Sequence, residues 1–534
     1  YTEGVIFGHA KDGNLHFLVN QAFDNESQIN HFDQFIRAMV HIVSGKYDGS
    51  LKAEHGTGRN MAPFVETEWG AEAYAVMRDL KSLLDPDNML NPNVVISENP
   101  QAHVTHLKSL TLVSPQIDKC IECGFCESKC PSRWLTLTPR QRIVVQREII
   151  RMSKMPRSGA AAPDSPELDL VSNDFLYAGM DTCALDGLCG TACPVGINTG
   201  DYIKGLRAES VKNERPSLWL ADNFALAEKS IRIGVTLGHI AEKVISPNGV
   251  KSIIQTAEKI SNTTLPKWNQ HIPYPSPYRR GIRDEVKEFI YFPSCISRQL
   301  GVPSSKSQIS GSPNQALSEV FITLAHRAHI DLFIPENVTG HCCGMPFSSK
   351  GYKQACRVIL HKTLTQMWTW SEQGKYPIVI DTTSCTHTLR TCSDDLSPED
   401  RALWQQLTIL DGIEFLHDRV LPKLNIHPAD EDVVLHPNCS ARKLGLDGKM
   451  LSIAKQCARS ANVPLDLGCC AFAGDRGLLL PDLTASAAEK ESAEVNARDY
   501  DGYYSSNITC EIGMSEATGK DYLSIVYLVE KASR

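Results

Sequence analysis

The alternation of apolar and polar positions predicts a small α+β piece in the first 97 residues. Short apolar runs flank Asp12-Gly13 in "GHAKDGNLH", and Asp-Gly between such runs is a strong signal for a β-hairpin. Helix-like stretches follow around Ser27 to Ser44 and around Thr67 to Leu84. The piece ends in "DPDNMLNP", whose two prolines favour a stop.

The hairpin predicts a metal site. With Asp12-Gly13 as a two-residue loop, His9 pairs with His16, and directly opposed residues have Cβ atoms about 4.5–5.5 Å apart. Two imidazoles at that spacing can hold one metal ion, and the stretch "KAEHGTGR" offers Glu54 as a third ligand. The alternative interpretation is that both histidines are exposed polar residues of a hairpin.

The remainder of the chain is predicted to form further regions. A polar linker covers residues 98–115, and residues 116–215 carry two cysteine motifs separated by a helical insertion with the loop "RSGAAAPDSPE". A helical and then Pro-rich connector covers residues 216–284. Beyond it, "YFPSCIS", "TGHCCGMPF" and "TTSCTHT" in residues 285–425 are echoed by "VLHPNCS", "LGCCAFAG" and "NITCEIG" in residues 430–534. This internal repeat predicts two similar α/β domains.

Composition and charge exclude two classes of partner. The 534 residues include 54 basic and 62 acidic ones, for a net charge of −8, and no run of Lys and Arg suggests a nucleic-acid surface. No uninterrupted apolar run approaches the 18 or so residues that span a bilayer. We therefore predict a cytoplasmic protein without a transmembrane segment. Peripheral contact with the inner membrane and homo-oligomer formation stay open.

The 18 cysteines favour metal or redox chemistry over a disulfide scaffold, since none lies before Cys120 and most are grouped. "CIECGFCESKCP" has the C-x₂-C-x₂-C-x₃-C-P spacing of bacterial-type iron-sulfur proteins, in which the fourth cysteine ligates the other cluster of a pair. The zinc alternative is weaker, because structural zinc sites usually use two C-x₂-C knuckles. We predict that the first cluster is held by Cys120, Cys123, Cys126 and Cys193.

The second motif, "CALDGLCGTACP", is one thiolate short, because Asp186 stands where its second cysteine is expected. The second cluster is therefore predicted to use Cys130, Cys183 and Cys189, with the carboxylate of Asp186 at the fourth corner. Carboxylate oxygen is a poorer ligand than thiolate for a sulfide-bridged iron. We expect a labile iron at that corner, so that this cluster can be isolated as [3Fe-4S] rather than [4Fe-4S].

Each repeat contains two adjacent cysteines, which suit a metal better than a disulfide. Consecutive Cα atoms lie about 3.8 Å apart, below the usual disulfide range of roughly 4.4–6.8 Å. Each repeat then brings together four cysteines as a metal or cluster site; the alternative is that they are buried apolar residues without a ligand. The two sets are Cys295, Cys342, Cys343 and Cys385, and then Cys439, Cys469, Cys470 and Cys510.

These repeats resemble the CCG domains of heterodisulfide-reductase-type and glycolate-oxidase-type iron-sulfur subunits, and the segment before them resembles their two-cluster ferredoxin domain. The second copy departs from that pattern by reading "CCA", with Ala471. Thr388 and Gly513 stand where a closing C-x₂-C would have its second cysteine. The resemblance thus implies either a smaller metal site or a docking surface for an electron acceptor.

Residues 1–97 resemble the C-terminal end of FAD-linked oxidases of the D-lactate and D-2-hydroxyglutarate dehydrogenase group, through "GHAKDGNLH", "EHGTGR" and "DPDNMLNP". The resemblance implies Zn²⁺ or Mn²⁺ on His9, His16 and Glu54. It assigns His55 both substrate binding and catalysis as a general base, and Asn91 a contact with FAD. The FAD-binding half of such proteins precedes the hairpin, so we expect a fragment that lacks flavin and is inactive alone.

The combined resemblance predicts a multidomain α+β and α/β protein that oxidises a D-2-hydroxy acid without NAD. The favoured reaction converts D-2-hydroxyglutarate to 2-oxoglutarate, with electrons passing from FAD through the clusters to a quinone or a protein acceptor. D-lactate or glycolate is the alternative substrate. Leu18 occupies a position where some relatives use Asn for the substrate, so the exact 2-hydroxy acid stays open. A non-enzymatic alternative is an electron-transfer subunit without substrate chemistry.

Overall fold

The computed structural model describes residues 4–19, 21, 23, 25–107, 111–154, 166–261, 263–276, 288–303 and 315–534. The chain divides into two compact units, Tyr1–Leu112 and Val113–Arg534. Most of the predicted loop "RSGAAAPDSPE" lies outside the described residues. Within the described part of the chain, no helix combines the length and apolar character needed to cross a bilayer.

The first unit contains the predicted hairpin and both predicted helical stretches. Asn25 caps the first helix by accepting a hydrogen bond from the Gln28 backbone N–H. The second stretch is two helices, because Gly70 adopts φ +81° between them, a conformation that glycine adopts readily. The elements are β1 (Val5–His9), β2 (Asn14–Leu18), α1 (Glu26–Val40), α2 (Val65–Trp69) and α3 (Ala71–Leu84).

The predicted hairpin register is wrong. His9 pairs with Asn14, and His16 lies opposite Phe7. The turn forms earlier than Asp12-Gly13 suggests, because the Asp12 N–H donates to the carbonyl of His9, 3.0 Å away. A four-residue loop built around such a turn replaces the two-residue loop.

The second unit begins with a mainly helical segment. α4 packs against α5, and a small core forms from Ile117, Ile143 and Ile203. The long helix α9 is interrupted at Ser246, which has φ +69° and precedes Pro247. The helices are α4 (Pro139–Lys154), α5 (Pro166–Phe175), α6 (Leu188–Ala192), α7 (Thr199–Ser210), α8 (Arg215–Asp222) and α9 (Phe224–Ser261).

Two four-stranded parallel sheets follow, and they share one topology. In each sheet the spatial order is second, first, third and fourth strand along the chain. The predicted mixture of α+β and α/β architecture is confirmed, and the assignment of the two repeats to CCG domains stays a prediction. The first sheet consists of β3 (Phe289–Phe292), β4 (Leu332–Phe333), β5 (Ile378–Ile380) and β6 (Ile409–Asp411), and the second of β7 (Ala429–Leu435), β8 (Ala458–Asn462), β9 (Gly502–Ser505) and β10 (Tyr522–Ser524).

Helices connect these strands and cover the sheets. The central strands β5 and β9 are buried along their whole length, because parallel sheets carry helices on both sides. The helices are α10 (Cys295–Leu300), α11 (Leu317–Arg327), α12 (Met345–Ser348), α13 (Lys353–Trp370), α14 (Thr383–Arg390), α15 (Pro398–Trp404), α16 (Gly412–Phe415), α17 (Cys439–Lys443), α18 (Asp447–Cys457), α19 (Arg476–Leu479), α20 (Pro481–Asn496), α21 (Ile508–Thr518) and α22 (Ile525–Ala532).

Candidate functional site

The hairpin of the first unit brings the three predicted metal ligands together. Glu54 Oε1 lies 2.5 Å from His16 Nε2 and 3.4 Å from His9 Nε2. One ligand atom from each residue lies within 4.8 Å of the other two. Two imidazole nitrogens and one carboxylate oxygen form a donor set that suits zinc or another divalent transition metal. The arrangement therefore has the composition and the spacing of a metal site.

Asn14 supports this triad and was not predicted from the sequence. Its Nδ2 donates to Glu54 Oε1 at 3.1 Å, and its Oδ1 accepts from the His9 backbone N–H at 2.8 Å. Removal from water raises the pKa of Glu54, but the hydrogen bond from His16 and the nearby imidazoles outweigh it and lower that pKa. The triad thus favours the ionised carboxylate, which is the form that binds a metal.

His55 lies directly beside the triad. Its Nε2 is 3.8 Å from Glu54 Oε2, and its ring meets that of His16 with centroids 5.5 Å apart. The backbone of His55 has φ +62°, an uncommon conformation for a non-glycine residue that occurs often at functional sites. The His55 side chain is 72% exposed, so a small molecule can reach it. Asn91, the predicted FAD contact, is exposed in the loop after α3.

Three of the four cysteines predicted for the first cluster are near one another. Burial, together with the neighbouring Cys120 and Cys193, raises the pKa of Cys126 to about 11. Cys123 is exposed on the loop between Cys120 and Cys126. The first motif and the last cysteine of the second motif therefore meet, as the exchange between paired cluster motifs requires.

The cysteines predicted for the second cluster surround a buried arginine. Arg142, on α4, is 1% exposed and donates from Nη1 to Cys130 Sγ at 3.5 Å. Burial lowers the pKa of Arg142, but Cys183, Cys130 and Cys189 outweigh burial and raise it. This arginine was not predicted; its only sequence signal is a charged residue among the apolar positions of a helix. It places a fixed positive charge beside the cysteines predicted for the second cluster.

Asp186 lies between the second cluster's cysteines and the second cysteine set. Burial raises its pKa to about 6, while Lys443 and a hydrogen bond with Cys469 act in the opposite direction. Its charge also acts on Cys189 and on Cys439. Within the part of the chain that the structure describes, Asp186 Oδ2 has no hydrogen-bond partner. The carboxylate therefore adjoins two groups of thiols.

The cysteines of each repeat converge at the same place on each sheet. The first strand and the third strand in chain order are neighbours in the sheet, and ligands of such folds bind beyond the carboxyl ends of strands where the strand order reverses. Cys295 follows the first strand of its sheet, and Cys385 lies in the helix after the third. The corresponding positions of the second sheet are taken by Cys439 and Cys510.

Within each set the thiols are close together. In the first set, Cys295 Sγ lies 3.5 Å from Cys342 Sγ, and Cys343 Sγ lies 3.5 Å from Cys385 Sγ. In the second set, side-chain hydrogen bonds join Cys439 to Cys469, Cys469 to Cys470, and Cys470 to Cys510. All 18 cysteines of the chain are free. The second set runs through Cys439, Cys469, Cys470 and Cys510.

Two stretches of the chain match known protein families. Residues 1–95 match the family described as FAD linked oxidases, C-terminal domain, and residues 116–197 match the 4Fe-4S dicluster domain. Glycolate oxidase subunit GlcD of Bacillus subtilis is 32% identical over 98 residues, which cover 18% of this chain and 21% of that protein.

Two further relatives are named as dehydrogenases. D-2-hydroxyglutarate dehydrogenase of Xanthomonas citri pv. viticola is 38% identical over 91 residues, covering 16% of this chain and 19% of the relative. The mitochondrial D-lactate dehydrogenase [cytochrome] of Arabidopsis thaliana is 33% identical over 92 residues, covering 17% and 16%. The chain thus spans a fifth or less of the length of these two relatives.

The two matches indicate the C-terminal domain of an FAD-linked oxidase followed by a 4Fe-4S dicluster domain. Over residues 1–95 the chain is similar to FAD-linked oxidases, and the relatives that match there include proteins named D-2-hydroxyglutarate dehydrogenase and D-lactate dehydrogenase. The predicted resemblance to that family is confirmed, and so is the predicted pairing with a 4Fe-4S domain.

Proposed function

We propose that the protein containing this chain is an FAD-linked, NAD-independent dehydrogenase of D-2-hydroxy acids, with D-2-hydroxyglutarate as the substrate and 2-oxoglutarate as the product. The observation that carries this proposal is the group formed by His9, His16, Glu54 and His55 in the domain that matches FAD linked oxidases. D-lactate and glycolate are the second candidates, favoured by the names of two relatives.

The residues of the triad fit a divalent metal, Zn²⁺ or Mn²⁺. His9 and His16 supply imidazole nitrogens, and Glu54 supplies a carboxylate whose pKa is lowered. When bound there, such an ion provides a positive charge that orients the carboxylate and the hydroxyl of a 2-hydroxy acid and favours loss of the hydroxyl proton. Asn14 holds Glu54 and the backbone of His9 in place for that task.

His55 is proposed to accept the hydroxyl proton. A general base must lie within reach of the proton it removes, and His55 is the exposed imidazole next to the triad. In the overall reaction the substrate loses this proton from oxygen and a hydride from the adjacent carbon, which leaves a 2-oxo acid. FAD accepts the hydride in enzymes of this kind.

The two clusters predicted for the cysteines from Cys120 to Cys193 are proposed to carry the electrons onward. A cluster transfers single electrons, so two clusters allow a two-electron donor to be emptied in steps. Asp186 is proposed as the fourth ligand of the second cluster, which can then lose one iron and become [3Fe-4S]. The repeats are proposed to be CCG domains whose cysteine sets hold further metal or cluster sites and face a quinone or protein acceptor.

The test is reduction of the FAD-loaded protein by each of three substrates under anaerobic conditions. D-2-hydroxyglutarate is expected to bleach the flavin faster than D-lactate or glycolate. His55→Ala is expected to abolish bleaching by the substrate, while dithionite still reduces the clusters. His41→Ala, an exposed histidine elsewhere in the same unit, is the control and is expected to behave like the wild type. Undiminished turnover in His55→Ala would remove that residue from the base role.

A further inference from the structure

His436 occupies a fully buried position at the second cysteine set. It directly follows β7, and its backbone N–H donates to the carbonyl of Tyr504 at 2.8 Å, which extends the pairing of β7 with β9. The His436 side chain is 0% exposed, and its Nδ1 lies 2.7 Å from Oε1 of Glu491, which is itself 2% exposed. The imidazole is therefore fixed by both its backbone and its ring.

The other ring nitrogen of His436 is turned towards two thiols. Nε2 is buried and faces the thiol of Cys470, with which the imidazole interacts as a hydrogen-bond partner. One ligand atom each from His436, Cys470 and Cys510 lies within 4.8 Å of the other two. One imidazole nitrogen and two thiol sulfurs that converge in a buried place form a donor set that suits a thiophilic metal ion.

Glu491 links the imidazole to the loop that carries the paired cysteines. Its Oε1 contacts His436, and its Oε2 accepts a hydrogen bond from the Gly468 N–H at 3.2 Å. Histidines that bind metals usually donate their second ring nitrogen to such a carboxylate, which fixes the tautomer and leaves the other nitrogen free to coordinate. The pair of His436 and Glu491 has this arrangement.

The first repeat lacks this nitrogen. Its strand β3 ends at Phe292, which stands before Pro, one residue and Cys295, as His436 stands before Pro, one residue and Cys439. The Phe292 ring packs against Trp370, with centroids 5.6 Å apart. The two repeats share a fold and a cysteine pattern, but among the residues that the structure describes a group of two thiols and an imidazole forms at the second repeat and not at the first.

We propose that the second repeat holds one divalent thiophilic ion of the zinc class, bound by His436 Nε2, Cys470 Sγ and Cys510 Sγ and oriented through Glu491. Metal–sulfur and metal–nitrogen bonds of about 2.3 and 2.0–2.1 Å bring the donor atoms of a single ion within roughly 4 Å of one another, so the observed spacing suits one ion. This assignment deepens the metal role proposed above for the second cysteine set.

The assignment separates the roles of the two repeats. Zinc has no redox chemistry, so the second site then stabilises its sheet and the contact with Asp186 instead of passing electrons. The first set, which has sulfur donors alone, is left as the candidate relay. Cys469, which hydrogen-bonds to Cys470, is the nearest further thiol for a fourth position.

The test measures zinc in the full chain with its iron-sulfur clusters in place and with His16→Ala added, so that the hairpin contributes no ion. X-ray absorption at the zinc edge is expected to show a nitrogen ligand together with sulfur. His436→Phe, which copies the first repeat, is expected to lose the zinc. His417→Phe replaces a histidine of the same unit that contacts Asp418, and it is expected to retain the zinc.

His436→Cys keeps the test decisive if His436→Phe fails to fold, because it is expected to retain zinc with sulfur ligands only. Full zinc in a folded His436→Phe chain, or a zinc spectrum that does not change in His436→Cys, would overturn the proposal. The experiment uses neither substrate nor flavin. Failure of hydroxy-acid oxidation therefore leaves its outcome unchanged, and loss of this site does not by itself contradict the dehydrogenase.

Discussion

Arg142 donates a hydrogen bond to the sulfur of Cys130 from within the core of the helical segment. The two atoms lie 3.5 Å apart, and the guanidinium also donates to Ser132 Oγ at 2.8 Å and to the carbonyl of Gly179 at 2.7 Å. Net charge and hydrogen bonds to sulfur set the potentials of iron-sulfur clusters. Arg142 is therefore placed to make reduction of the second cluster easier.

We expect Arg142→Met to lower the reduction potential of the second cluster by about 60 mV or more, a tenfold change in a one-electron equilibrium. Arg142→Lys keeps the charge and is expected to shift the potential less. A redox titration followed by electron paramagnetic resonance measures both values. Arg151→Met, on the same helix but paired with Glu148, is the control. Equal potentials for Arg142→Met and the control would contradict the assigned role.

Asn14→Ala is expected to weaken metal binding at the hairpin without removing a metal ligand. The substitution takes away the hydrogen bonds that hold Glu54 and the backbone of His9, and losing such supporting contacts typically costs about 10–100-fold in metal affinity. Zinc competition titrations with a chelator measure the change.

Loss of affinity in Asn14→Ala should be smaller than in His16→Ala, which removes a ligand outright. Asn25→Ala is a matched control, because it removes a side chain that caps α1 in the same unit. Zinc affinity in that variant is expected to equal that of the wild type. An unchanged affinity in Asn14→Ala would show that Glu54 needs no support from it.

The hairpin shows why the site was predictable although its register was not. Side chains two residues apart in a strand share a face, so His9 lies diagonally across from His16 and still meets it, with ring centroids 5.5 Å apart. In either register the two imidazoles lie close enough to contact Glu54. The Asp-Gly pair correctly indicated a hairpin but not the length of its loop. The loop is closed by the backbone hydrogen bond from the Asp12 N–H to the carbonyl of His9.

Residues that act through tertiary contacts could not be predicted from the sequence. The order of motifs predicted two repeats, and the shared strand order agrees with it. No local pattern distinguishes His436, whose partner Glu491 lies 55 residues further along the chain. The same holds for Arg142, whose contact with Gly179 spans 37 residues. Spacing rules find ligands within one loop, whereas these partners are chosen by the packing of separate elements.

Asp186→Cys is expected to convert the second cluster to a stable [4Fe-4S] form. In the wild type, air oxidation should release the iron at the carboxylate corner and give the paramagnetic signal of a three-iron cluster, because carboxylate is a poor ligand for that iron. A cysteine at this position restores the fourth thiolate and should suppress the signal. Asp174→Cys adds an exposed thiol on α5 and is the control. A wild-type protein without a three-iron signal, behaving like Asp186→Cys, would count against ligation by Asp186.

Gly351→Ala is expected to destabilise the second unit where the helical segment meets the first sheet domain. Gly351 has φ +87°, and a Cβ there would lie 2.6 Å from the carbonyl carbon of Arg207 and 2.7 Å from Cα of Ala208. Backbone strain of about 1–3 kcal/mol adds to an overpacking cost of typically 1–3 kcal/mol. Calorimetry should show a lower melting temperature for the second unit.

Gly445→Ala separates the two contributions. Gly445 has φ +68°, but no atom lies within 4 Å of a Cβ built there, so only the backbone strain applies. We expect its melting temperature to fall less than that of Gly351→Ala. Equal losses would show that the close approach to Arg207 and Ala208 adds nothing.

Asp411→Asn is expected to stabilise the second unit in a pH-dependent way. Asp411 caps α16 by accepting a hydrogen bond from the Ile413 N–H at 2.9 Å, and burial raises its pKa from 3.8 to about 6. An acid with a raised pKa contributes full stability below its unfolded pKa, and that stability is lost as pH rises towards the folded pKa. A shift of about two pKa units corresponds to about 3 kcal/mol, and asparagine keeps the capping oxygen without this loss.

The melting-temperature advantage of Asp411→Asn should therefore grow between about pH 4 and 6 and then level off. Asp418→Asn is the contrasting control, because the hydrogen bonds from Lys449 and His417 outweigh burial and lower the pKa of Asp418. The loss of stability in Asp418→Asn should appear as pH rises through the acid range. A difference in melting temperature between Asp411→Asn and the wild type that stays constant from pH 4 to 7 would contradict the raised pKa.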